Sequence, residues 1–96
     1  MNKKLSKELL DLLNDLEKLL LLPNNDFVWQ STINNTYEAQ ECLDKLKNKI
    51  NSDNRSVIED LLILFAPTGS LQEISISSGW SDEYMKLASR FDKIIW

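Results

Sequence analysis

Between Arg55 and Lys86 the chain has no lysine or arginine, while Glu59, Asp60, Glu73, Asp82 and Glu83 give residues 56–85 a formal charge of −5. The whole chain carries −4, so the remainder is close to neutral at +1. Carboxylates in such a run can hold a cation, act as acid and base, or meet a basic partner. A calcium-type site needs oxygen ligands at fixed loop spacing, and neither Asp11 with Asp15 nor Glu59 with Asp60 lies in such a loop. Acid–base work needs carboxyl groups converging on one pocket, whereas this spacing places the pairs on solvated helix faces. The third option suits the segment best, because like charges spread over a surface steer an oppositely charged protein towards it. The same stretch contains Pro67-Thr68-Gly69-Ser70 and Trp80, a loop and an aromatic of the type common at interfaces. The expected docking face is Glu59, Asp60, Thr68, Glu73, Asp82 and Glu83, with Trp80 as its anchor. Capping rules also account for part of this set. Trp80 and Met85 have hydrophobic-staple spacing, and Asp82 and Glu83 complement a helix dipole. Both readings are open from the sequence.

Other chemistry is absent. With no histidine and a single cysteine there is neither a histidine-based triad nor an ordinary zinc site. Residues 67–70 have too few glycines for a phosphate loop and lack its lysine. The reading is therefore a protein that is not an enzyme and needs no cofactor or metal. Cys42 falls on an apolar stripe, where free cysteine behaves as a small buried hydrophobe. Glu38 and Glu41 beside it oppose the electropositive setting of a reactive thiol. A chain with no internal disulfide suits a reducing, cytoplasmic location. The acidic balance argues against nucleic acid, whose binding draws mainly on neutralised phosphates. Lys3 and Lys4 precede a leucine-rich stretch, but Lys7, Glu8, Asp11, Asp15, Glu17 and Lys18 interrupt it, so neither a signal peptide nor a membrane span is expected.

The elements that must position these groups are helical. Two glycines and two prolines are too few for the turns of an all-β chain, and 43% apolar with 27% charged residues is a globular balance. Leu5, Leu9, Leu12, Leu16 and Leu19, widened by Leu13 and Leu20, form one helical stripe that ends before Pro23. Phe27, Val28 and Trp29 follow as a connection pinned to the core. Asn35 or Thr36 caps a second helix whose inward stripe is Ala39, Cys42, Leu43, Leu46 and Ile50. Asn51-Ser52-Asp53 turns the chain and caps a third helix. That helix is the most apolar segment (Val57, Ile58, Leu61, Leu62, Leu64, Phe65) and is expected at the centre, ending at Pro67. Residues 70–78 read two ways. Ile74-Ser75-Ile76-Ser77 alternates like a strand, whereas Ser70 with Glu73 has capping-box spacing and Gly79 suits a helix end. A short helix is the preferred reading. A last helix starts at Ser81 and buries Tyr84, Leu87, Ala88, Phe91, Ile94 and Ile95. Trp96 is left undecided. The expectation is all-α: one domain over 1–96, a compact bundle of four main helices and one short one.

The stretch Phe65-Ala66-Pro67-Thr68-Gly69-Ser70-Leu71-Gln72-Glu73-Ile74, then Gly79-Trp80-Ser81-Asp82-Glu83 and Phe91-Asp92, resembles a group of small, mostly uncharacterised bacterial proteins, some of which look like immunity proteins of polymorphic toxins. The resemblance implies a cytoplasmic inhibitor that binds a toxin domain and blocks its active site or substrate groove. No catalytic motif comes with it. The expected function is a small acidic binding protein that neutralises a basic toxin or nuclease domain, with no nucleic acid and no membrane as partner. The alternative is a structural or regulatory module that self-associates through its leucine-rich first helix.

Overall fold

The computed structural model describes residues 2–23, 25, 35–66 and 69–96. Five helices lie among them: α1 (Lys3–Leu20), α2 (Thr36–Asn51), α3 (Ser56–Leu64), α4 (Ser70–Ser78) and α5 (Ser81–Ile95). The all-α expectation is met, and 70–78 is a helix. Trp29 and the rest of the 26–34 connection lie outside the described residues, as do Pro67 and Thr68.

The centre is α1. Leu9, Leu12, Leu13 and Leu16 are fully buried and Leu20 nearly so, because their 3–4 spacing turns one wide stripe inward. α2 packs on one side of α1 and α5 on the other. Polar side chains at the edges of the stripe fix both contacts. Gln40 Nε2 and Lys47 Nζ donate to the Glu17 carboxylate at 2.9 and 3.0 Å, and the Arg90 guanidinium donates to Asp15 at 2.7 Å. Each bond holds a carboxyl below its ordinary range, Asp15 chiefly through the hydrogen bond from Arg90 and Glu17 through those from Gln40 and then Lys47.

The third helix corrects the sequence reading. α3 is peripheral: it packs on α2, Val57 and Leu61 face the core, and Leu62 and Ile63 face solvent. Its apolar character was expected to make it central, but a nine-residue helix on the flank of a filled leucine stripe can bury only one face. The end of α3 still ties the layer together. The Phe65 ring stacks on Tyr84 and Phe91 with centroids 6.1 and 5.1 Å apart, and the Tyr84 hydroxyl donates to the Phe65 carbonyl at 3.3 Å.

Asn35 caps α2 as expected, its Oδ1 accepting from the Glu38 N–H at 2.8 Å, but two other caps fall elsewhere. Asp53 does not cap α3. It sits in the left-handed region at φ 58, and Asn54 Oδ1 accepts from Ser56 N–H instead. Gly69 rather than Ser70 is the N-cap of α4, with no side-chain cap bond. α4 ends in a Schellman turn, where Gly79 at φ 86 lets the N–H groups of both Gly79 and Trp80 reach the Ser75 carbonyl. No helix among the described residues is long and apolar enough to cross a membrane.

Candidate functional site

The acids of 56–85 divide by their partners. Asp60 is ion-paired with Lys49 of α2, so its charge is compensated locally and it leaves the expected docking set. Glu59, Glu73, Asp82 and Glu83 are exposed and form no ion pair among the described residues. All four stand in the first turn of a helix: Glu59 in α3, Glu73 in α4, Asp82 and Glu83 in α5. Local dipoles therefore favour them there, and their outward charge is left uncompensated. Lys86, one turn beyond Asp82 and Glu83, pairs with neither.

The end of α3 touches both of the helices that follow it. Tyr84, next to Glu83 in α5, contacts the end of α3 through Phe65. Gly69, at the start of α4, lies so close to the carbonyls of Ile63, Leu64 and Ala66 that a Cβ there would meet them at 3.1–3.2 Å. The C-terminus of α3 thus meets the start of α4 through Gly69 and the inner face of α5 from Tyr84 to Phe91. Glu59 is farther off, about 9 Å back along α3 at 1.5 Å per residue. Thr68 lies outside the described residues.

Trp80 is not an anchor. It is 3% exposed, and its indole N–H donates to Asn25 Oδ1 at 2.8 Å. Asn25 in turn donates through Nδ2 to the carbonyls of Leu19 and Leu20, both at 2.8 Å, which satisfies acceptors left open at the end of α1. One amide therefore caps α1 and fixes Trp80, so the tryptophan serves the fold. The staple also fails, since Met85 is 66% exposed and does not pack under Trp80.

The large apolar side chains exposed on this stretch are ones the sequence reading did not single out as exposed. Ile63 is 73% exposed and Ile76 62%, and with Leu62 and Met85 they fall within the same base-free stretch. Helical phase was the signal for them: Ile63 and Ile76 are each two residues from a buried position, Leu61 and Ile74, and so point away from the core. Trp96, undecided from sequence, is also exposed. Of the α1 leucines that the self-association alternative requires, Leu9, Leu12, Leu13, Leu16 and Leu20 are buried in the core, and Leu5, Leu10 and Leu19 are partly buried against it.

Cys42 is partly buried against the core, and burial pushes its thiol above the ordinary value. No group of acids and cysteine suited to holding a metal occurs among the described residues. No family model, curated protein or solved structure matches the chain.

Proposed function

We propose that this chain is a small helical binding protein of the immunity type, which neutralises a basic protein partner such as a toxin or nuclease domain. One observation carries the reading: a stretch without a single base presents four unpaired carboxylates together with Leu62, Ile63, Ile76 and Met85 in solvent. Exposed apolar side chains on a stretch charged with one sign suit a protein interface, with the charge governing encounter and the apolar groups excluding water. The acids would take the place of the phosphates that a basic groove otherwise meets.

The test uses the chain as bait for the proteins encoded by the genes flanking its own. A basic protein should be retained by the wild-type chain and lost when Glu73, Asp82 and Glu83 are all replaced by lysine, at unchanged helicity by circular dichroism. Equal retention by the two baits overturns the proposal.

A further inference from the structure

A groove of about 430 Å³ runs between α2 and α3, within the size range of small-ligand sites. Its floor is apolar: Cys42 and Leu46 from α2, Leu64 from α3. Its polar lining is uneven. At one end the Lys49–Asp60 pair closes on itself. At the other, Glu38 and Glu41 belong to the first turns of α2, and neither has an ion-pair partner among the described residues. Tyr37, beside them and exposed, hydrogen-bonds to Glu41, which raises the phenol above its ordinary range. Lys45 is the one lining cation without a carboxylate partner. Two carboxylates outside any ion pair, Glu41 with the Tyr37 hydroxyl on it, against one such ammonium leave this end of an apolar-floored slot net negative.

From this geometry we infer that the α2–α3 groove receives an arginine side chain of a protein partner, its methylene stem over Cys42, Leu46 and Leu64 and its guanidinium between Glu38 and Glu41. A long aliphatic stem with a cationic head is the side-chain shape that matches both floor and rim, and a planar guanidinium can donate to two carboxylates at once. The inference rests on the reading of the partner as basic. It assigns that partner a second point of attachment, on α2, which does not use the 56–85 acids.

Cys42 is the chain's only cysteine and lies in the floor, so its alkylation reports occupancy directly. The intact chain is treated with iodoacetamide at pH 8.5, alone, with 50 mM acetyl-arginine amide, or with 50 mM acetyl-citrulline amide, a neutral compound of the same shape, at matched ionic strength. Arginine amide should slow alkylation at least two-fold and citrulline amide should leave it unchanged. The Glu38→Gln/Glu41→Gln variant should alkylate at the same rate with either. Equal protection by the two compounds, or none by arginine amide, overturns the inference. The lysine replacements at Glu73, Asp82 and Glu83 should leave arginine protection intact, so loss of partner retention with protection kept, or the reverse, tells which of the two readings has failed.

Discussion

The α2–α1–α5 layer and the stretch from α3 to the start of α5 solve the same problem differently. In the layer, the α1 leucines face the core and the polar groups at the helix seams are tied to one another, Glu17 to Gln40 and Lys47 and Asp15 to Arg90, while Glu38 and Glu41 at the start of α2 stay outside any ion pair among the described residues. In the stretch, whole apolar side chains stand in water and four of the five acids are unpaired. A surface that serves only the fold tends towards the first arrangement. The second leaves interaction capacity unused, which is the physical ground for the proposed binding face.

Substitutions can break or sharpen this contrast. The largest effect is expected in the layer, where Leu13→Ala should cost about 2–5 kcal/mol in denaturant unfolding, because a fully buried leucine leaves a cavity. Next comes Asn25→Ala. It orphans the Trp80 indole N–H and the Leu20 carbonyl, while the Leu19 carbonyl keeps the Leu22 N–H, and should cost about 1–3 kcal/mol, with a shift in tryptophan emission. The Asp15 and Glu17 carboxyls, held below their ordinary values near 3.8 and 4.5, contribute stability that is complete above those values and is lost as pH falls through the lower folded ones. Both side chains are substantially solvated, so the contribution is a few tenths of a kcal/mol to about 1. Asp15→Asn/Glu17→Gln should flatten the fall in stability below about pH 4.5, measured by unfolding at a series of pH values. Ile63→Ser should be the mildest, within about 0.5 kcal/mol of wild type. A loss above 2 kcal/mol there would show that the exposed apolar groups serve the fold, and the contrast would fail.

What could be read from the sequence follows from how local each signal is. The α1 stripe, the Asn35 cap and the glycine that ends α4 are properties of a few adjacent residues, and they were legible. Membership of an ion pair is not local. Asp60 is paired because Lys49 lies across a helix hairpin, and the Trp80 indole N–H is satisfied by Asn25, 55 residues earlier and just past the end of α1. The position of α3 was misread for a related reason: apolar composition sets how much a segment gains from burial, while the room left beside α1 sets how much of it is buried. The slot between α2 and α3 has residues from both helices and no motif in either.

The central claim is that the uncompensated acids of α3, α4 and α5 act on a partner. The most direct measurement is the association rate constant with the basic protein retained by the bait, followed from low to high ionic strength. It should be made for the wild-type chain and for a chain carrying Glu59→Gln, Glu73→Gln, Asp82→Asn and Glu83→Gln. The wild-type rate should be at least ten-fold faster at low salt and fall towards that of the neutralised chain as salt screens the field. Coincident rates for the two chains at every salt concentration would contradict the claim and leave these acids with helix dipoles as their only role.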